Sequence, residues 1–281
     1  MKKKKKLLII IFVLCLIIGA IAGNIAWYEL NGYSCGKSIL LSDITDKTDI
    51  TLIGHRGMAA LAPENTLPSF RLSAEMGCDG SECDVHTTSD GQWVIMHDDN
   101  VNRLTNGKGD IADKTLAEMQ ALKFTHGNKR KNYDETELYT PTLQEYLALL
   151  NEYDTIPVIE LKNIDVNLLP DFVDILREYG VYDTAIVISF TYDYLTAIHS
   201  LAPDITLYYL TSKITDEQIQ QCLALGCGID FDGDRSCNNK YISECIENDI
   251  PVAAWTIDSP KRLCNLYDLG VRVFTSNCIH R

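Results

Sequence analysis

Strand-length apolar runs alternate with helical patterns along the chain after residue 49, and this alternation constrains the fold more than any other feature. The predicted strands are Ile50–Gly54, Gly80–His86, Trp93–His97, Pro157–Leu161, Ala185–Phe190, Thr206–Leu210, Gly228–Phe231, Pro251–Ile257 and Val271–Thr275. The helical patterns between them include Thr66–Met76, Thr142–Glu152, Val166–Tyr179, Asp216–Leu225, Lys240–Asn248 and Pro260–Leu269. Alternating strands and helices predict a parallel sheet covered by helices.

One pair of runs breaks this pattern. Only Thr87 to Gln92 separates the second run from the third, and Ser89-Asp90-Gly91 is typical of a turn. A parallel crossover needs a dozen or more residues, so these two runs must form an antiparallel hairpin. The eight remaining runs predict a (β/α)8 TIM barrel with one extra hairpin strand. A turn near Asp90 places residue 97 opposite residue 83 or 84.

A longer excursion follows the hairpin. Residues 107–110 and 125–137 predict a short surface insertion before the next helix. Insertions at a barrel mouth commonly form lids or substrate loops. The chain has 281 residues, of which 46% are hydrophobic, and this is sufficient for one barrel domain over residues 50–281.

The first residues have a different character. Lys2 to Lys6 precede an apolar segment, and the aromatic pair Trp27 and Tyr28 follows it. We expect a cytoplasmic basic segment at 1–6, a transmembrane anchor helix at 7–28, a polar linker at 29–49 and an extracellular barrel. The alternative is a signal peptide cleaved near Ala20-Ile21-Ala22, which would release the domain as a secreted protein.

The exported part is strongly acidic. Residues 1–28 hold five of the 25 basic residues and none of the 39 acidic ones, which leaves a net charge of 20 − 39 = −19. Such a charge argues against nucleic-acid binding. It would also repel an anionic substrate unless a local cation reversed the field at the site. The exported cysteines have no Cys-x-x-Cys spacing, so we expect buried free thiols and no zinc site.

Two histidines and three carboxylates fall at predicted strand ends. His55 ends the first strand, and the hairpin register brings His97 beside Glu82 and Asp84. Two nearby imidazoles can act as acid and base close to neutral pH. Glu82 and Asp84 share one face of a strand, and with Glu160 on a later strand they suit a hard divalent cation. Buried salt bridges to neighbouring cations are the alternative interpretation of the carboxylates.

Three further side chains are candidates for substrate contacts. Arg56 offers planar donors that suit a phosphate, and Lys162 shares a strand face with Glu160. Trp255 could stack on the carbon side of a polyol or could be a core aromatic. Asp230 and Asp232 could face the mouth or cap a loop.

At these residues the chain resembles the glycerophosphodiester phosphodiesterase family over about residues 51 to 277. The matching phrases are His55-Arg56-Gly57, Pro63-Glu64-Asn65-Thr66, Glu82-x-Asp84-Val85, Asp90-Gly91, His97-Asp98, Glu160-x-Lys162 and Trp255-Thr256, with Phe70, Gly77, Asp79, Thr88, Val94, Arg103, Thr105, Gly109 and Thr115 among them. Two positions depart from the family pattern. Ser276 stands where members carry an acid near the last strand, and Cys83 stands where they usually have an aliphatic residue.

The resemblance implies a TIM barrel, a divalent metal and hydrolysis of glycerophosphodiesters to glycerol 3-phosphate and an alcohol, in phospholipid turnover or scavenging. It implies His55 and His97 as the acid/base pair, and phosphate contacts from Arg56 and Lys162. It also implies Glu82, Asp84 and Glu160 as ligands of Mg²⁺ or Ca²⁺, with Mn²⁺ as a further candidate. The alternatives are a phospholipase-D-like or phosphoinositide-cleaving barrel that acts on intact lipid, and a catalytically inactive surface binding module.

Overall fold

The computed structural model describes residues 37–234 and 239–281. Eight parallel strands form a closed barrel in the order β2-β10-β9-β8-β7-β6-β5-β3, and β3 returns to β2. Their bounds are Thr51–Gly54 (β2), Gly80–Thr87 (β3), Ile156–Leu161 (β5), Ile186–Ser189 (β6), Thr206–Thr211 (β7), Gly228–Asp232 (β8), Val252–Trp255 (β9) and Val273–Ser276 (β10). The predicted TIM barrel is confirmed.

Helices connect most of these strands. They are Leu67–Glu75 (α1), Leu116–Gln120 (α2), Leu143–Glu152 (α3), Leu169–Glu178 (α4), Tyr192–Leu201 (α5), Asp216–Leu225 (α6), Asn239–Glu247 (α7) and Pro260–Asp268 (α8). Thr115, Thr142 and Thr215 begin α2, α3 and α6 with capping boxes. α2 and α5 were not among the helices predicted from the sequence.

The hairpin prediction is confirmed. β4 (Trp93–Ile95) pairs antiparallel with β3, with Val85 opposite Ile95, and the Met96 N–H donates to the Asp84 carbonyl at 3.0 Å. This register places residue 97 opposite residue 83. β4 also occupies the edge of β3 that β2 uses lower down, at residues 80 and 81. His97 therefore arrives at the upper end of β2, where His55 follows Gly54.

A short pair of strands lies outside the barrel. β1 (Ile39–Leu40) runs parallel to β11 (Ile279–His280), and Leu41 is buried in the main core. The sequence had predicted a polar linker over residues 29–49. The structure differs because residues 39–41 pack on the barrel instead of leading into it. The predicted segments 1–6 and 7–28, and the start of the linker, lie outside the described residues.

Two hydrophobic cores lie on either side of the hairpin. The main core fills the space between the strands and the helices, and Trp93 and Ile95 of β4 belong to it. Val94 and Met96 point the other way, into a second small core with side chains from residues 101–138. The insertion is therefore longer than the predicted segments 107–110 and 125–137. Cys78, Cys83, Cys222, Cys227 and Cys245 are buried free thiols, as expected, and Cys264 is a partly buried one. Within the ranges 37–234 and 239–281, no helix is long and apolar enough to cross a membrane.

Candidate active site

A cavity of about 160 Å³ opens among the carboxyl ends of the barrel strands, the face on which barrel enzymes carry their active sites. Its lining consists of His55, Arg56, Glu82, His97, Glu160, Lys162, Ile188, Phe190, Leu210, Asp230, Trp255 and Thr275. Seven of the eight predicted site residues are in that lining. The eighth, Asp84, lies beneath the surface and is 1% exposed. The structure thus brings together all the predicted site residues.

Glu82, Asp84 and Glu160 form a carboxylate cluster at this face. All three are buried, and one carboxylate oxygen of each lies within 4.8 Å of the others. Burial and the charges of the other two carboxylates raise the pKa of Glu82, and burial and Asp84 raise the pKa of Glu160 to about 7. Asp84 Oδ1 is buried with no hydrogen-bond partner among the described residues. An oxygen-rich group with mutual repulsion and an orphaned acceptor fits a hard divalent cation such as Mg²⁺ or Ca²⁺.

Two cations border the cluster. Lys162 Nζ lies 2.9 Å from Glu160 Oε1 and 3.6 Å from Asp84 Oδ1, and Arg56 Nε lies 3.5 Å from Asp84 Oδ2. The salt bridges of the alternative interpretation therefore do form. Burial alone would raise the pKa of Asp84, but His97, Lys162 and Arg56 outweigh it and hold that pKa below its usual value. Both cations line the cavity, so each could also meet an anionic ligand.

The turn after β2 holds Arg56 in place. Arg56 has a φ of 52°, and its backbone N–H donates to Glu82 Oε2 at 2.8 Å. Gly57 follows with a φ of 78°, and a Cβ there would clash with the Ser69 backbone carbon. Glycine is therefore required for the chain to turn this closely over α1. The turn fixes the direction of the Arg56 side chain toward the cavity.

An ion-pair network supports His97. His97 Nδ1 and Asp98 Oδ1 are 2.8 Å apart, and Arg103 Nε donates to Asp98 Oδ2 at 2.8 Å. Arg103 Nη2 also donates to Glu64 Oε1 at 2.7 Å, and Arg56 Nη1 donates to that same oxygen at 2.9 Å. Burial would raise the pKa of Asp98, but hydrogen bonds from His97 and Arg103 lower it. Asp98, Glu64 and Arg103 lay within the matched family phrases, but the sequence assigned them no role.

A second network supports His55. Its Nδ1 lies 2.7 Å from Asn277 Oδ1, and Asn277 Nδ2 donates to Asp258 Oδ2 at 2.8 Å. Asp258 Oδ1 also accepts from Ser276 Oγ at 2.9 Å and from the Asn277 N–H at 2.8 Å. The amide orientation leaves Asn277 Oδ1 as an acceptor, so His55 Nδ1 carries the proton and Nε2 is unprotonated. Burial, followed by the Arg56 charge, lowers the pKa of His55 to about 3, which keeps the ring neutral.

This network includes Ser276, the residue that stands where the family pattern has an acid. An acid does lie beside the end of the last strand, but Asp258 supplies it from the loop after β9. Residue 258 follows Trp255 by three positions and had no motif of its own. Its contact with Asn277 joins two separate segments, so no local pattern could have found it.

The remaining wall of the cavity is apolar. Ile188, Phe190, Leu210 and Trp255 line it, and the rings of Phe190 and Trp255 pack edge to face with centroids 5.7 Å apart. Trp255 is only partly buried, because it packs against the barrel interior and also faces the cavity. Stacking on the carbon side of a polyol stays a prediction. Asp230 is the polar residue within this apolar wall.

Known proteins share both the sequence and the fold. The Glycerophosphoryl diester phosphodiesterase family matches residues 55–279. A Bacillus altitudinis "Glycerophosphodiester phosphodiesterase" is 30% identical over 229 residues, which cover 78% of this chain and 91% of that protein. Human "Glycerophosphodiester phosphodiesterase 1" is 33% identical over 134 residues, 48% of this chain and 40% of that protein.

Among solved structures, an Oleispira antarctica phosphodiesterase in complex with the product sn-glycerol-3-phosphate has a TM-score of 0.73 and 27% identity, and the match covers 85% of this chain and 96% of that one. A Thermotoga maritima glycerophosphodiester phosphodiesterase at 21% identity and a TM-score of 0.66 has the same fold. The family match begins at His55, directly after β2, and runs to the start of β11. This chain belongs to the glycerophosphoryl diester phosphodiesterase family.

Proposed function

We propose that this chain hydrolyses glycerophosphodiesters to glycerol 3-phosphate and an alcohol. The observation that carries the proposal is one cavity lined by two imidazoles that follow different strands, by cations and by carboxylates of the cluster. Phosphodiester cleavage needs proton transfer at two oxygens and stabilisation of charge on the others. The names of the relatives and the product bound to the Oleispira antarctica protein support the same substrate class.

The two histidines differ in their partners, and the difference suggests their roles. His55 is neutral, with its Nδ1 proton directed at an amide oxygen, so its Nε2 can accept the proton of the attacking hydroxyl. His97 Nδ1 lies 2.8 Å from the Asp98 carboxylate, and this anionic partner orients the ring. We therefore assign His55 as the general base and His97 as the general acid that protonates the leaving alkoxide. The nucleophile is either water or the neighbouring glycerol hydroxyl.

The charged residues of the cavity would bind the phosphate and stabilise its negative charge. Glu82, Asp84 and Glu160 would hold a divalent cation, Mg²⁺ or Ca²⁺ first and Mn²⁺ also, which when bound supplies positive charge for nonbridging phosphate oxygens. Arg56 and Lys162 border the same cavity and would donate to the remaining oxygens. Together these groups would reverse the negative field of the domain at the point where the substrate binds.

The size and lining of the cavity favour a small diester over an intact lipid. A volume of about 160 Å³ with an apolar wall that includes Trp255 suits the carbon side of a glycerol moiety. The described cavity is too small to enclose two acyl chains, so the lipid-cleaving alternative has less support. Each histidine is held by its own hydrogen-bonding network. This also argues against an inactive binding module, because binding alone needs no acid/base pair.

The test is release of glycerol 3-phosphate from several water-soluble glycerophosphodiesters, with and without chelator. We expect release that depends on added divalent metal and that exceeds any hydrolysis of intact diacyl lipid. Lys162→Ala should lose activity, whereas Lys213→Ala, a lysine outside the cavity lining, serves as the matched surface control. Preference for diacyl lipid would move the assignment to a phospholipase-like enzyme, and full activity in excess chelator would remove the metal from it.

We further propose that the domain works outside the cell, in phospholipid turnover or scavenging. The support is the run of five lysines followed by the apolar segment 7–28, which would hold the N-terminus in the cytoplasm. Protease added to intact cells should degrade the barrel domain while a cytoplasmic marker protein survives. A domain protected in intact cells and cleaved only after lysis would show that this topology is wrong.

A further inference from the structure

Asp230 is a buried acid in the cavity wall that the roles proposed above do not use. It lies on β8, is 5% exposed and lines the cavity beside Leu210 and Trp255. Within the described residues, the group able to hold a cation is the carboxylate cluster, and Asp230 is not part of it. Its presence in the wall therefore needs a separate explanation.

Within the part of the chain that the structure describes, no partner accounts for the buried Oδ1 of this carboxylate. Asp230 Oδ1 is buried and makes no hydrogen bond within residues 37–234 and 239–281. Trp255 Nε1 donates to the main-chain carbonyl of Asp230, at 3.3 Å, and not to its side chain. A buried polar group without a partner destabilises a fold. Asp230 thus weakens the barrel, unless a ligand supplies the missing hydrogen bond.

Asp232 provides the contrast on the same strand. It has the same 5% exposure and the same strand face, two residues further on. Its Oδ1, however, accepts a hydrogen bond from the Asp234 N–H at 3.2 Å. Asp232 is outside the cavity lining and Asp230 is in it. Asp232 therefore binds the loop that follows the strand, whereas the side chain of Asp230 faces the cavity.

The surroundings of Asp230 limit what can reach it. Ile188, Phe190, Leu210 and Trp255 form the apolar wall, so an approaching group needs a carbon surface that ends in a hydrogen-bonding atom. Burial, followed by the Glu160 charge, raises the pKa of Asp230 well above its usual value. A hydroxyl can donate to the ionised carboxylate or accept from the protonated acid, so it pairs with either form. An ammonium group would suit only the ionised form, and a phosphate would be repelled by it.

We propose that Asp230 binds the terminal hydroxyl of the glycerol moiety and selects glycerol diesters over diesters of alcohols that lack this hydroxyl. The inference rests on the proposed function and adds the contact that specifies the alcohol. With the carbon chain against Trp255 and the phosphate at Arg56 and Lys162, the hydroxyl at the far end would fill the orphaned position at Asp230. A diester without the terminal hydroxyl would leave the buried Asp230 carboxylate unpaired, so the site would discriminate against that diester.

Two substrates and three variants test this. Glycerophosphocholine is compared with the choline phosphodiester of propane-1,2-diol, which keeps the hydroxyl next to the phosphoester and lacks the terminal one. The wild-type protein should prefer the glycerol diester in kcat/KM by roughly 10- to 100-fold. Asp230→Leu should abolish the preference, and Asp230→Asn, which keeps a hydrogen-bonding group, should retain part of it. Asp232→Leu, the matched control, should leave the preference unchanged.

Thermal unfolding supplies an independent measurement. Asp230→Asn and Asp230→Leu should raise the unfolding midpoint by about 2–4 °C, because the unpaired buried carboxylate is removed, whereas Asp232→Leu should lower it. An unchanged preference in Asp230→Leu, or a midpoint that falls in both Asp230 variants, overturns the proposal. If the wild-type protein cleaves both diesters and only the preference is absent, the contact is wrong and the proposed function stands. If it releases no glycerol 3-phosphate from any diester, both fail.

Discussion

Asp258→Asn tests whether the second network sets the protonation of His55. The substitution keeps the shape of the side chain but replaces one acceptor oxygen with an NH₂ group. Asp258 accepts hydrogen bonds at 2.9, 2.8 and 2.8 Å from Ser276 Oγ, the Asn277 N–H and Asn277 Nδ2. With asparagine at 258, either two amide N–H groups face each other or the Asn277 amide turns over. A turned amide would direct Nδ2 at His55 Nδ1 and move the ring proton to Nε2, where it blocks the base.

The expected loss in kcat/KM follows from the hydrogen bond to Asp258 that is removed. A hydrogen bond to a charged acceptor contributes about 1.5–3 kcal/mol, so its loss in the transition state lowers kcat/KM by roughly 10- to 100-fold. Steady-state kinetics should show this loss in kcat with KM little changed. The ¹⁵N shifts of the His55 ring should report a proton moved from Nδ1 to Nε2.

Ser276→Ala is the matched control, because it removes a donor to Asp258 and leaves the Asn277–His55 contact in place. We expect its kcat/KM to stay within about threefold of the wild-type value. A folded Asp258→Asn protein with unchanged His55 shifts and near-normal kcat/KM would refute the positioning role. Equal losses in both variants would point to general damage at the end of β10.

Three further predictions address the rest of the site. Chelation should abolish turnover, and Mg²⁺, Ca²⁺ or Mn²⁺ should restore it, because the carboxylate cluster repels itself without a cation; a coupled assay for glycerol 3-phosphate measures this. His55→Ala and His97→Ala should each lower kcat by roughly 10²–10⁴-fold with the circular dichroism spectrum unchanged, and near-normal turnover in either would contradict the acid/base pair. The pKa of Asp230 is raised, so its destabilising effect is present above the folded-state pKa and is relieved as the pH falls. Urea unfolding should therefore show a larger stability gain for Asp230→Asn at pH 8 than at pH 5, and a gain that grows toward acid pH would give the wrong sign.

The barrel and the hairpin were readable from the sequence because their signals are local. The spacing between Thr87 and Gln92 excludes a parallel crossover, and the turn at Asp90 sets a register that the Asp84–Met96 hydrogen bond confirms. Strand ends of a parallel barrel meet at one face, so residues at those ends were placed together correctly. The strand at residues 39–40 was not predicted, because two residues are too few to show the alternating pattern of a strand.

The longest supporting contacts were not readable, because they join segments far apart in the chain. Glu64 reaches Arg103, and Asn277 reaches His55, across separations of 39 and 222 residues. The matched family phrases indicated that Glu64 and Arg103 matter, but they carried no geometry. Asp230 shows a further limit. Its spacing to Asp232 suggested a pair, and only the structure reveals that one acid binds a loop and the other faces the cavity.

The hairpin has a consequence for how this protein would fail under stress. Its return strand β4 sits at the boundary between the main core and the small core of the insertion, so His97 depends on both, whereas His55 depends on the barrel alone. Small packing units open at lower free energies than whole domains. Mild denaturant would therefore open the insertion first and displace His97, which we propose as the general acid, while the carboxylate cluster stayed assembled. Half of the proposed acid/base pair would be lost by local opening, at a lower denaturant concentration than the barrel needs to unfold.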